Sequence, residues 1–261
     1  MHEGLSQIFD AGSVRRQRAR AAGRLGPVAG VLDDLAARLL DRLDDTKAKF
    51  GPALEIGGRG AVAAALARRG CQVVSADFSA ELAAGAGGLA VAIDAEALPF
   101  GAEKFDLIVA HLSLHWVNDL PGALLQLRRA LRPAGLFLAS MPVLGTLAEL
   151  RTALLEAEAA LTGGASPRVS PFPELRDCAG LLQRAGFALP VADIEAIEFL
   201  YANPLDLLHD LRAAGETNAV TARSRKIPPR ELFALALSNL PKRDGRVVAT
   251  LRMAIMTGWN T

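Results

Sequence analysis

The sequence predicts an α/β fold, a doubly wound, mostly parallel seven-stranded sheet with a helical lid insertion. Three observations carry this. Short apolar runs alternate with helical patterns at the spacing that right-handed crossovers between parallel strands require. The run at 105–110 is continuously apolar, as a strand covered on both faces must be. The first run leads directly into Gly57-Gly58-Arg59-Gly60, where backbone can approach a ligand ahead of a helix N-terminus.

Each element has its own justification. Residues 31–50 carry Leu32, Leu35, Leu39 and Leu43 at helical spacing between charges, an amphipathic helix. The first strand is placed at 53–56, and an alanine-rich helix at 61–69 ends at Gly70. Strands follow at 71–76, closed by Asp77, at 89–93, closed by Asp94, and at 105–110. A helix at 120–131 turns through Pro133-Ala134-Gly135 into a fifth strand at 136–141. Helices at 147–161 and 175–185 flank a Gly/Ser/Pro loop at 162–173. A sixth strand is read at 194–201 and a seventh at 247–259. Between these two, a helix starting at Asn203-Pro204 and another at 230–240 make the connection longer than a hairpin needs, which predicts a helical insertion at about 203–245. The expected organisation is an N-terminal helical segment, 1–50, and one α/β domain, 51–261.

Composition bounds the function. A chain of 261 residues, 51% hydrophobic and 22% charged, can bury a sizeable core and is not a disordered one. Its formal net charge of +1 supplies no global field to recruit nucleic acid or an acidic membrane. Cys71 and Cys178 make neither a disulfide framework nor a metal cluster, and no metal site is expected. With no apolar run of the roughly 18 to 20 residues that span a bilayer, a cytoplasmic location follows. The stretch VRRQRARAAGR at 14–24 is basic, but it lacks aromatic residues to stack bases and reads as a solvated helix beside the core.

In an open parallel sheet, ligands bind outside the carboxyl ends of the strands where strand order reverses. Gly57, Gly58 and Gly60 collect there, with Glu55 in reach of a ligand ammonium group. Asp77 is placed to accept two ribose hydroxyls, a strong and specific arrangement. Asp94 can take an exocyclic amine, with Phe78 along the ring and Ala95 and His111 completing the set. The plainer alternatives are a tight turn for the glycines and a helix cap for Asp77. In this order and spacing the residues point to a nucleoside-containing cofactor. His111, Ser113, His115 and Trp116 follow the fourth strand, where an acceptor would sit. His115 is the candidate base or orienting group, and Ser113, Trp116 and Tyr201 are the candidate acceptor contacts. Equally, His115 caps its loop, while Trp116 and Tyr201 simply pack. Glu216 and Asn218 read as capping residues, and Arg168 as part of a solvated loop.

The segments LEIGGRG, VVSADFS, IDAEALPF, FDLIVAHLSLHWVNDLPGAL and LRPAGLFLAS resemble, in order, the motifs of class I S-adenosylmethionine-dependent methyltransferases. GGASPRVSPF, LLQRAGF, DLRAAGETNA and TGW narrow the resemblance to the family of a mitochondrial complex I assembly factor with a methyltransferase fold. More distantly, the chain is similar to the malonyl-acyl-carrier-protein methyltransferases. The resemblance implies S-adenosylmethionine as cofactor and methyl transfer to a protein or small-molecule acceptor. Its closest branch implies arginine hydroxylation or assembly of a respiratory-chain subunit. Two departures stand out. Gly57 and Asp77 are 20 positions apart, one fewer than usual, so the glycine loop is one residue short. Gly145, in Val143-Leu144-Gly145-Thr146-Leu147, replaces an acidic residue of the relatives. A non-catalytic binding scaffold with a degenerate cofactor site is the alternative these departures leave open.

Overall fold

The computed structural model describes residues 7–261; the first six residues of the expected N-terminal segment lie outside the described residues. Helix α1 (Ala11–Ala21) starts at Asp10, whose carboxylate accepts from the Ser13 amide. Helix α2 (Ala29–Leu40) follows, and a 3-10 turn, Asp41–Leu43, ends it before the expected residue 50. Asp41, Asp44 and Asp45 crowd that C-terminus, where the helix dipole disfavours carboxylates.

Strand β1 (Pro52–Ile56), α3 (Val62–Arg68), β2 (Gln72–Asp77), α4 (Ala80–Gly85), β3 (Leu89–Ala92) and β4 (Phe105–His111) come next. They are followed by α5 (Leu120–Ala130), β5 (Leu131–Pro142), α6 (Ala148–Thr162) and α7 (Leu175–Arg184). The chain closes with β6 (Ala188–Tyr201), α8 (Pro204–Ala213), α9 (Leu232–Ser238), β7 (Lys242–Arg243) and β8 (Arg246–Trp259). Helix α4 has only six residues, too few to show a period, and its Ser79 cap was its one sequence signal. Strand β6 begins at Ala188 rather than 194, because its early residues pair with the far end of β8, as in Ala188 opposite Trp259.

The sheet runs β3-β2-β1-β4-β5-β8-β6, with the two-residue β7 paired to β8 as an eighth strand. Neighbours from β3 to β5 are parallel; β8 lies antiparallel to both β5 and β6. The order therefore reverses between β1 and β4. Alternation along the central strands divides the core between two faces. Leu54, Ile108 and Phe137 join α5 and α7 on one side, while Ala53, Leu107 and Leu138 meet α2 and α3 on the other. A third cluster binds α6, α8 and α9 to the start of β8. Among the described residues no helix is long and apolar enough to cross a membrane.

Phe137 is fully buried and stacks on Phe187 with ring centroids 5.1 Å apart. Phe137→Ala is expected to cost about 3–5 kcal/mol in urea unfolding. Leu89→Ala, at a side chain 72% exposed on the edge strand, is expected to stay within about 0.5 kcal/mol.

Candidate functional site

Ile56 pairs with Ala76 on one side and Ala110 on the other, so the residues that follow them share the switch point. The structure brings Glu55, Gly57, Gly58, Asp77, Phe78 and His111 together there, as the sequence implies, but it buries them. Asp77 is fully enclosed. Its Oδ1 accepts from the Ser79 amide at 2.8 Å, and its Oδ2 accepts from Nη1 of Arg18 at 2.6 Å. The same guanidinium donates to the carbonyl oxygens of Gly57 at 3.3 Å and Leu112 at 2.7 Å, and lies 5.8 Å from the Phe78 ring centroid. Two expectations are corrected: Asp77 is not open to hydroxyl donors, and the basic helix is not wholly solvated. Val14, Arg18 and Ala21 form one buried stripe along α1 at helical spacing, and this stripe drives Arg18 inward. An arginine in the middle of an apolar stripe was the overlooked signal.

The short glycine loop is pressed against its surroundings. A Cβ on Gly57 (φ +137°) would stand 2.2 Å from the His111 carbonyl oxygen, and one on Gly58 (φ +58°) 2.9 Å from that of Leu82 in α4. Only glycine permits such approach and such φ values together. Gly60 lies half-buried against α2. Glu55 is buried; its Oε1 accepts from the Gly58 amide at 2.9 Å, and its Oε2 has no partner. Burial pushes its carboxyl up to about 8, so Glu55 carries a proton at neutrality instead of facing a ligand ammonium as a carboxylate. His111 bonds through Nδ1 to Ser140 Oγ at 2.9 Å, and burial lowers its pKa to about 3. Asp94 is exposed and caps its own turn at the Glu96 amide, while Ala95 is buried beside it. Ser113 is also enclosed, its hydroxyl 3.4 Å from the Ile56 carbonyl oxygen, and lines no opening.

Beside this closed half lies an open cleft of about 470 Å³. Its walls include Leu32 and Leu35 of α2, Leu150 and Leu154 of α6, and Leu207 and Leu211 of α8; Trp116, Thr146 and Tyr201 also line it. Polar groups converge on Glu216. It accepts from Arg59 Nη1 at 2.6 Å, His115 Nε2 at 2.8 Å and Trp116 Nε1 at 3.1 Å. Burial pushes the Glu216 carboxyl up, but His115, Arg59 and Arg18 outweigh it and hold the group well below the usual carboxylate range. Burial lowers the His115 pKa, so the ring is neutral, its Nε2–H donates to Glu216, and its Nδ1 keeps an unpartnered lone pair. Glu216 is therefore the hub of the cleft rather than a helix cap. Arg59 is the other residue the sequence reading passed over: it is fully buried in the glycine loop and also donates to the carbonyl oxygens of Ala214 and Leu112. Arg168 is not a solvated loop residue; Glu158 holds it by two bonds, 3.1 and 2.6 Å long, on the cleft wall.

Comparison with known proteins gives the class. Residues 54–139 match the methyltransferase domain family. The chain is 36% identical to the mitochondrial arginine-hydroxylase NDUFAF5 of Homo sapiens, over 97% of this chain and 76% of that protein. It is 32% identical to the malonyl-[acyl-carrier protein] O-methyltransferase of Methylovorus sp. (strain MP688), over 97% of this chain and 90% of that protein. Among solved structures, the YcgJ protein of Bacillus subtilis shares the fold, with a TM-score of 0.56 at 14% identity over 86% of this chain and 97% of that one. The architecture is that of the class I methyltransferases. Within that class, the chain belongs to the S-adenosylmethionine-dependent methyltransferase family that includes the arginine-hydroxylase NDUFAF5 and the malonyl-[acyl-carrier protein] O-methyltransferases.

S-adenosylmethionine does not fit the strand-end site as its residues stand. Both Asp77 oxygens are taken, Gly57 touches the end of β4, and Gly58 touches α4. The buried Glu55 gives this closed arrangement a pH signature. Its folded pKa, about 8, lies above the 4.5 of a free glutamate, so its contribution is fully present below about pH 4.5 and is lost as pH rises through 8. His111 works in the opposite sense, its contribution being present above 6.5 and lost as pH falls towards 3. Between about pH 6.5 and 8, Glu55 sets the slope. Unfolding free energy is expected to fall over that window, and Glu55→Gln to flatten the fall. An unchanged slope in the variant would show that Glu55 is already ionised.

Proposed function

We propose that this chain is an S-adenosylmethionine-dependent methyltransferase that modifies a protein or small-molecule acceptor held in the apolar cleft beside His115. The observation that carries this reading is the position of the cleft: Leu112, His115 and Arg59 form both its inner wall and the boundary of the cofactor half. The family supplies the reaction class; the chain's own residues supply the acceptor site. Leucines from α2, α6 and α8 exclude water and orient an apolar stem. Neutral His115, fixed by Glu216, is placed to accept a proton at Nδ1 or to orient an acceptor carbonyl. Trp116 and Tyr201 shape the wall, and the Tyr201 hydroxyl is tied to Asp210 at 3.1 Å. The organisation is read as an N-terminal helical segment, 1–50, and one domain, 51–261, with the helical lid insertion at about 203–245. Two unpaired cysteines fit a cytoplasmic protein.

A second reading, arginine hydroxylation or assembly of a respiratory-chain subunit, is favoured by the 36% identity with the mitochondrial arginine-hydroxylase NDUFAF5, which extends over 97% of this chain. Mass spectrometry of the acceptor after incubation with labelled S-adenosylmethionine and extract separates these readings. Gain of one methyl group, absent with the cleft-filling Leu154→Trp, supports the first; gain of one oxygen atom supports the second. With neither, the chain is a binding scaffold. On a verified acceptor, His115→Ala is expected to lower kcat roughly 10²-fold or more while leaving cofactor affinity within about twofold.

A further inference from the structure

We propose that Arg18 is an internal occupant of the ribose subsite, and that cofactor binding proceeds by exchange of its guanidinium from Asp77 to Glu216. The inference rests on the reading that the chain binds S-adenosylmethionine, and it resolves the misfit between that cofactor and the closed site. A ribose diol needs carboxylate oxygens to accept its two hydroxyls. Here Asp77 Oδ2 is engaged by Arg18 at 2.6 Å and Oδ1 by the Ser79 amide, so a diol enters only if Arg18 withdraws.

The guanidinium also bridges the two walls between which the cofactor would lie. It donates to Gly57 in the glycine loop and to Leu112 just beyond β4, so one side chain holds the loop against the strand end. Its release removes both ties together. Arg18 has a second partner within reach, because Nη2 stands 3.7 Å from Glu216 Oε1, beyond hydrogen-bond distance but inside ion-pair range. Rotation towards Glu216 therefore keeps the guanidinium charge compensated, which a simple withdrawal would not, while the hydroxyls of the arriving diol donate to Asp77 in its place. The Nε of Arg18 is buried without a partner, so the closed position leaves one donor unsatisfied.

Because Glu216 also fixes His115 at 2.8 Å, the exchange couples the cofactor half to the acceptor cleft. When Arg18 arrives, Glu216 gains a second guanidinium beside that of Arg59, next to the neutral imidazole it already fixes. Arg18 acts through Asp77 and Glu216 and touches no reacting atom, so it is a positioning residue.

The test is isothermal titration of the full chain with S-adenosylhomocysteine, comparing wild type, Arg18→Met, Arg18→Lys and, as a surface control on the same helix, Arg20→Met. Folding of each variant is checked by circular dichroism. Arg18→Met is expected to bind at least tenfold more tightly than wild type. Arg18→Lys, which keeps the charge but loses the fork, should fall between them, and Arg20→Met should match wild type. If Arg18→Met does not fold, Arg18→Lys decides in the same direction. Equal, measurable affinity in all four proteins overturns the exchange and leaves the methyltransferase reading standing. Weaker binding in the Arg18 variants overturns it too, by making Arg18 a cofactor ligand. No binding at millimolar ligand in any folded protein removes both the exchange and the methyltransferase reading.

Discussion

A buried set of four charges, Asp77, Arg18, Glu216 and Arg59, organises the carboxyl edge of this sheet. The two guanidiniums and two carboxylates come from α1, the glycine loop, the end of β2 and the turn after α8, segments far apart in sequence. Their charges balance, and the neighbouring titratable groups keep that balance: Glu55 is protonated and both His111 and His115 are neutral at pH 7. Removing one member of a buried pair leaves an uncompensated charge, at about 3–5 kcal/mol. The closed strand-end site is therefore an electrostatic structure more than a hydrophobic one.

That network also explains how one fold carries an enclosed half and an open half. Gly57 packs onto the end of β4, and Arg59 in the same loop reaches Leu112 and Glu216. On the other side of the same residues, α2, α6 and α8 stand apart and leave the apolar cleft. Thr146, its hydroxyl bonded to the Arg252 carbonyl oxygen at 2.7 Å, lines the cleft beside Gly145.

Much of the fold was legible in the sequence because it rests on local pattern. The apolar runs that became β1, β4 and β5 announced a doubly covered sheet, and the Asn203-Pro204 cap announced α8. What escaped was either short, like α4 and β7, or set by pairing at a distance, like the early residues of β6. The site divides the same way. The strand-end positions of the glycines, Asp77 and His115 were visible in the sequence, but what surrounds them was not. Arg18 and Glu216 were not, because their roles depend on a meeting of segments nearly 200 positions apart that no local period encodes. Asp94, exposed on its own turn, and Ser113, enclosed behind Ile56, are placed by a related effect: strand-end position fixes where a side chain starts, but the following turn decides where it points.

The placement of β8 bears on how the molecule is made. It sits between β5 and β6, with Leu136 and Ala188 both opposite Trp259. During vectorial synthesis β6 is complete while β8, its ladder partner among the described residues, is still dozens of residues from emerging, so a long, half-apolar strand waits with both edges bare. The five parallel strands can assemble on the ribosome, but the antiparallel wing closes only after nearly the whole chain has left it. In that interval Pro190, Asp193, Glu195 and Glu198 along β6 oppose pairing of the bare edge with another chain, so the strand carries its own protection until β8 arrives.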